Sequence, residues 1–280
     1  MARQPDPRER EGLPRPEITL YALRGIPEIH PGDDLVPLIA DALARERLTL
    51  QDGDVVVVTQ KVVSKAEGCL VDLSQVVVSP AAQQLADEVQ KDPRLVEVIL
   101  QQSKGGHART GVIRQRRGTL IMETHHGWIC ANAGVDRSNV AGSDADLVLV
   151  LPRDPDASAR SIREGLRAHA ARQAGSAPPD FAVLITDSHG RPWRLAAVNL
   201  AIGVAGMLPI ADLRGRTDRF GYHLRTTTVA RADELAAAAG LLSGQAAEGL
   251  PVILIRGADY PRGEGRATDL QRPVEKDLFR

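Results

Sequence analysis

Aromatic side chains make up only 3% of this chain, and cysteine occurs twice, at Cys69 and Cys130. The core must therefore be aliphatic, and each aromatic merits separate scrutiny. Two scattered thiols make no disulfide framework; free, reduced cysteines fit a cytoplasmic protein. No run of about twenty apolar residues occurs, which excludes a membrane-spanning helix and gives no reason to expect a membrane partner. Neither sign of charge is in excess, with 35 Lys plus Arg against 36 Asp plus Glu and a net charge of −1. A binder of phosphate backbones would carry a basic surplus, so no nucleic-acid partner is expected. The G-x-x-x-x-G-K-[ST] loop, the G-x-G-x-x-G fingerprint, H-E-x-x-H, C-x-x-C and G-x-S-x-G are all missing. Any nucleotide must be held outside the common cradles.

What is present reads as an α+β chain. With 280 residues it can bury one large core or two small ones. Residues 1–17 are polar and proline-containing, without a secretory apolar stretch, and are expected to form a disordered tail. Ile18 to Leu23 reads as a strand, and a helix follows Gly32-Asp33-Asp34, with Asp33 as the expected cap. Val55 to Val58 is apolar on both faces, hence a central strand, and Thr59-Gln60-Lys61 ends it. Ser79-Pro80 and Asp92-Pro93 each pair a cap with a proline at the first helical position. Ser103 to His107 breaks the second of these helices, and Arg114, Arg116 and Arg117 read as a solvated turn.

Further along, Leu120 to Thr124, His125-His126-Gly127 and Trp128 to Val135 read as a β-hairpin. Leu147 to Leu151 and Phe181 to Thr186 are buried strands, joined by a helix that runs to about Arg172. The small residues of 196–206 predict close packing. Leu224 to Ala230 reads as a strand, Asp233 to Leu242 as a helix and Pro251 to Arg256 as the last strand. Past Gly257 a charged, mobile tail is expected. Strands and helices alternate irregularly, which favours mixed sheets with flanking helices over a regular doubly wound fold.

Two strand ends carry chemistry. Asp136 and Asn139 stand three residues apart after the hairpin, and Asp187-Ser188 follows Thr186. Strand ends are where a rigid scaffold aims polar groups into a cleft. Oxygen-only donors suit Mg²⁺ or Mn²⁺ rather than zinc. A lone Asp after a strand equally serves as a turn or helix cap, and spacing leaves both readings open. Lys61 and Lys65 could meet phosphate as point charges or simply be solvated. His125 and His126 read as turn residues or as ligands, and His189 as a phosphate neighbour or a solvated ring. The Gly244–Gly249 loop lets backbone amides approach a ligand, or is an ordinary connection.

Taken together these stretches resemble the coenzyme F-420:L-glutamate ligase family, the gamma-glutamyl ligases of deazaflavin coenzyme biosynthesis. The resemblance rests on Leu23-Arg-Gly-Ile-Pro27 with Gly32-Asp-Asp-Leu35, on Asp52 to Gly68, on Glu123 to Val140 and on Ile185 to Arg191. It continues through Ala201 to Gly206, Gly215 to Gly221 and Gly249 to Gly257, in the family's order. It covers about 18–258 as one catalytic unit, with an internal boundary near 152–180 and a charged tail at 259–280.

The resemblance implies two interleaved subdomains and an intertwined homodimer, to which 196–206 could contribute. It implies a GTP-dependent ligase that adds L-glutamate to the lactyl carboxylate of coenzyme F-420-0, and then further γ-linked glutamates, through an acyl phosphate. By position, Asp136 and Asp187 are the expected catalytic ligands of a first divalent ion, and Ser188 and Gln245 those of a second. K⁺ is a further candidate ion. Gly25, Ile26, Pro27, Glu28, Gln60, Lys61, Lys65, Asn139, Gly244, Gln245 and Gly249 are the expected GTP contacts. Gln60-Lys61 replace smaller hydroxyl residues of archaeal relatives, and Gln245 stands where some carry Glu. Arg214, Arg216 and Arg219 are expected to meet anionic substrate groups. Some relatives carry an additional nitroreductase-like domain; none is expected here, nor any flavin reductase activity. The alternative function from another class is a metal-dependent phosphohydrolase using the same Asp pair.

Overall fold

The computed structural model describes residues 17–106, 109–140, 146–175 and 177–278. The expected N-terminal tail lies almost wholly outside them, as does His107. In chain order the elements begin with β1 (Thr19–Ala22), α1 (Leu35–Arg45), β2 (Val55–Thr59), α2 (Gln60–Ala66) and β3 (Leu70–Asp72). Next come α3 (Pro80–Val89), α4 (Pro93–Gln101), β4 (Val112–Arg116), β5 (Thr119–Glu123), β6 (Ile129–Ala131) and β7 (Leu147–Leu149). The chain finishes with α5 (Pro155–Ala174), β8 (Ala182–Arg191), β9 (Arg194–Ala205), β10 (Ala211–Asp212), β11 (Thr228–Val229), α6 (Arg231–Ser243) and β12 (Val252–Arg256).

The architecture is α+β with several sheets, as the irregular alternation predicts. The main sheet has strand order β1-β12-β2-β8-β9. Only β2 and β8 pair in parallel; the other neighbours are antiparallel. Val55 to Val58 are buried on both faces because α1 and α5 cover one side and α6 the other. The caps at Ser79 and Asp92 form as expected, each before a first-turn proline. At α1 the cap is Asp34, which accepts from the Val36 amide at 2.9 Å; Asp33 instead accepts from His30. A third core gathers Leu85, Ile99, Leu120, Met122 and Val148 under α3, α4 and the β4-β5-β6 sheet.

Several boundaries differ from the sequence reading. Gln60 to Ala66 forms a helix that the sequence reading did not assign, because the chain turns at once from β2 and buries Val63. The segment with Arg114 and Arg116 is an exposed edge strand paired to β5, not a turn. Strand β8 does not end at Thr186. It continues through Asp187, Ser188 and His189, pairing with β9 as far as Arg191. Beyond β2 these two strands project as an arm. Only Thr228–Val229 of the expected strand 224–230 pairs, against Ala211–Asp212. The segment past Gly257 is anchored rather than loose: Tyr260 and Ala267 are buried, and the Ala267 amide donates to Asp156 at 3.1 Å.

The small residues of 196–206 do pack closely. A Cβ on Gly203 would lie 2.4 Å from the Pro155 carbonyl oxygen, which brings the start of α5 against β9.

Candidate active site

Where β2 ends and β8 runs on, a cleft of about 280 Å³ opens. Six separated pieces of chain form it: the 26–29 loop, the end of β2 with α2, the 136–139 loop, β8, Asn199 of β9 and the 243–251 loop. Of the residues expected to bind nucleotide or metal, all but Gly25 line it. Gly25 sits just outside, its carbonyl accepting from Arg45 at 2.6 Å.

Asp136 is aimed by an unusual backbone. Asn132, Ala133 and Gly134 all take positive φ (53°, 53° and 76°), which folds the chain back after β6. Residue 134 must be glycine on two counts, since a Cβ there would lie 2.6 Å from Leu151 Cδ1. The main chain of Asp136 then pairs with Leu149 in both directions, at 3.0 and 2.8 Å. Its carboxylate accepts from the Ser138 amide at 2.8 Å, and Lys61 Nζ lies 2.8 Å from Oδ2. Burial pushes this carboxyl's pKa up, but the Lys61 ammonium and the Ser138 amide more than offset it, leaving a net depression.

Asp187 lies on β8 opposite Leu200, and Ser188 opposite Asn199. Burial raises the Asp187 pKa and the Asp136 charge adds to the rise; His189, the Ser188 amide and Lys61 act against it. Asp187 thus feels the charge of Asp136 across the cleft. Asn199, buried on β9, accepts from Gln245 Nε2 at 2.7 Å and orients that amide. The sequence reading did not single out Asn199. Its signal was a lone amide inside an otherwise apolar strand.

Asn139 donates from Nδ2 to the Ala246 carbonyl at 2.7 Å, tying the aspartate loop to the 243–249 loop. Gly244 (φ 67°) and Gly249 (φ 66°) turn that loop. Lys65 pairs with Glu28 at the opposite wall. Gln60 borders the cleft with its side chain directed inward, where its amide donates to Ser64 and the Val150 carbonyl.

Other expected participants lie elsewhere. Arg214 pairs with Asp212 on the β10–β11 excursion, and none of Arg214, Arg216 and Arg219 lines the cleft. His125 and His126 belong to the hairpin turn, their rings hydrogen-bonded to the Gln102 and Arg153 carbonyls. Cys69 and Cys130 are free thiols, and burial together with the Asp187 charge pushes Cys130 up to about 12.

Among the described residues no group of three or more His, Cys, Asp or Glu side chains comes together as a metal cluster. What the cleft offers is two facing carboxylates plus hydroxyl and amide oxygens. That is a hard donor set, and its mutual repulsion is what a divalent cation would relieve.

The family model described as F420-0:Gamma-glutamyl ligase matches residues 25–257. A coenzyme F420:L-glutamate ligase of Methanothermobacter thermautotrophicus is 45% identical over 267 residues, covering 94% of this chain and 99% of the relative. A protein of the same description from Methanocaldococcus jannaschii is 42% identical over 231 residues, covering 82% and 86%. One from Methanopyrus kandleri is 42% identical over 273 residues, covering 96% and 99%.

Proposed function

The chain belongs to the F420-0:gamma-glutamyl ligase family, and on that premise we propose that it is a GTP-dependent ligase joining L-glutamate to the lactyl carboxylate of coenzyme F-420-0. The observation that carries this reading is the convergence of Asp136, Asp187, Ser188 and Gln245 with Lys61 and Lys65 on one cleft. These residues come from distant parts of the chain, and the fold alone does not need their polar groups there.

A carboxylate resists attack by an amine because its leaving group is oxide. Transfer of the γ-phosphoryl group of GTP to the substrate carboxylate replaces that leaving group with phosphate and releases GDP. The glutamate amine then attacks the acyl carbon. The C–N bond forms, the C–O bond to phosphate breaks, and the amine gives up its proton to water. In this chain Asp136 and Asp187 would hold one divalent ion, and Ser188 and Gln245 a second. Bound Mg²⁺ or Mn²⁺ would offset charge on the triphosphate and on the phosphoryl group in flight. Lys61 would meet phosphate oxygens once Asp136 engages a cation, and Lys65 by turning from Glu28. The loop pinned by Asn139 supplies backbone amides along the nucleotide.

A homodimer is part of the proposal. The tip of the β8–β9 arm leaves Trp193 86% and Leu195 95% exposed, and Phe220 is 93% exposed. Large apolar groups in such positions support contact with a second copy.

Mass spectrometry of the deazaflavin substrate after incubation with protein, GTP, Mn²⁺ and L-glutamate tests the reading. Products heavier by glutamate units, absent without GTP, are expected. GDP accumulating at the same rate without glutamate, with the deazaflavin unchanged, would instead favour the phosphohydrolase.

A further inference from the structure

A second cavity, of about 220 Å³, lies beside the cleft and shares strands β8 and β9 with it. Trp128, His189, Leu200, Asp233, Leu270 and Arg272 line it. Nothing in the proposed nucleotide chemistry uses these residues. Leu200 is the direct cross-strand partner of Asp187, and His189 is two residues further along β8. At about 3.3 Å per residue, the two spaces are separated by roughly 7 Å of strand.

Gln271, which donates to the His126 carbonyl, and a second carboxylate, Asp277, also line the cavity, and three further polar groups have hydrogen-bonding capacity to spare. His189 is only 6% exposed, and its Nδ1 has no hydrogen-bond partner among the described residues. A buried ring nitrogen left unmatched is uncommon in native proteins and marks a place where a partner belongs. Asp233, in the first turn of α6, accepts from the Ala201 amide at 3.0 Å through Oδ1, and Oδ2 accepts no hydrogen bond from the described residues. Arg272 is exposed and forms no ion pair among the described residues. Leu200, Leu270 and the Trp128 ring supply apolar wall between these groups.

We propose that this second cavity is the amino-acid subsite, in which Asp233 receives the ammonium of L-glutamate, Arg272 a carboxylate, and His189 a hydrogen bond. A carboxylate and a guanidinium around a small apolar space match a zwitterion with a short methylene chain. A guanidinium is the group best shaped for a carboxylate. The cavity is somewhat smaller than the cleft, at about 220 against 280 Å³, and has room for an amino acid. The position brings the amine donor next to the strand that carries Asp187. The assignment rests on the ligase reading above.

Steady-state kinetics of the full chain with varied L-glutamate and varied GTP, for Asp233→Asn and Arg272→Ala, form the test. Asp233→Asn keeps an acceptor oxygen for the Ala201 amide, and Arg272→Ala alters an exposed residue, so at least one variant folds. The KM for glutamate should rise about tenfold or more while the KM for GTP stays within about twofold. A second readout uses Trp128. The chain has two tryptophans, so in Trp193→Phe the remaining fluorescence reports on this cavity. L-Glutamate should change it saturably, and Arg272→Ala in that background should remove the change. A wild type that ligates, with both variants keeping the normal KM for glutamate, overturns the subsite and leaves the ligase reading intact. A wild type that does not ligate overturns the reading. The Trp128 signal then decides the subsite alone: a saturable, Arg272-dependent response upholds it and a flat trace overturns it.

Discussion

Lys61 Nζ lies 2.8 Å from Asp136 Oδ2 and donates to the Ser138 carbonyl at 2.9 Å, so one ammonium ties helix α2 to the loop that carries the first carboxylate. Because Lys61 also lowers the Asp187 pKa, it acts as the resident counter-ion of the pair. A cation binding between the carboxylates would release it toward a phosphate.

Replacing Lys61 by Ala should therefore weaken nucleotide use more than it weakens the fold. The ion pair is partly solvated, so its loss should change stability by no more than about 1 kcal/mol. Losing a charge-assisted contact to phosphate should lower kcat/KM for GTP about 10- to 100-fold. Chemical denaturation alongside GTP-dependent kinetics separates the two. A large stability loss with unchanged kinetics would make Lys61 purely structural.

Asp187 gives a prediction with a definite pH sign. Its raised pKa means the folded state binds the proton more tightly than the unfolded chain. The stability it contributes is thus complete below the unfolded value of about 3.9 and is lost as pH rises through the folded one. At neutral pH without metal, Asp187→Asn should raise Tm, by about 2–4 °C for each kcal/mol of strain relieved. Mn²⁺ should raise the Tm of the wild type, by preferential binding to the folded state, and leave Asp187→Asn nearly unmoved. Thermal scans with and without Mn²⁺ check both. A metal-free variant melting below the wild type would contradict the account.

Gly203→Ala should damage the junction of α5 with β9. The added Cβ would meet the Pro155 carbonyl at 2.4 Å, and backbone cannot swing away as a side chain would. Overpacking of this kind costs about 1–3 kcal/mol. Urea unfolding should show a lower midpoint, and an unchanged midpoint would mean that β9 has slack.

Arg256→Ala should cost more. Asp54 is 1% exposed and receives two hydrogen bonds from Arg256, at 2.8 and 2.7 Å. Removing the guanidinium leaves a buried carboxylate uncompensated, at about 3–5 kcal/mol. Since the pair lies outside the cleft, denaturation should report the loss while the KM for GTP in the surviving folded protein stays near normal.

The elements most legible in the sequence were those with a single dominant physical cause. Val55 to Val58 could only be a strand buried on both faces, and Ser79-Pro80 and Asp92-Pro93 could hardly be other than helix starts. The hairpin around His125-His126-Gly127 was equally plain, although its return strand ends at Ala131 rather than Val135, where the chain folds back. Two differences have separate origins. Asp187-Ser188-His189 looked like the end of a strand because polar residues replaced apolar ones, yet β9 continues beside them and their backbone stays paired. Gln60 to Ala66 hid a helix because Val62 and Val63 extend the β-branched run of β2. Asp136, Asn139, Asp187 and Ser188 stood out all the same as polar groups following buried strands, whereas Gln245 and the 25–28 loop came only with the family resemblance. Asn199 and the Asp233–Arg272 cavity stayed out of sight, since Asn199 acquires its role only from Gln245 across the cleft, and the cavity exists only where β9, α6 and the C-terminal segment meet.

The most direct test of the central claim is ligation itself, followed by mass spectrometry for wild type, Asp136→Asn and Asp187→Asn under identical GTP, Mn²⁺ and L-glutamate, with far-UV circular dichroism on each. The account predicts glutamylated product from the wild type, almost none from either variant, and three matching spectra. Near-normal product from both variants would contradict it, because the chemistry would then have to occur away from the Asp136–Asp187 cleft.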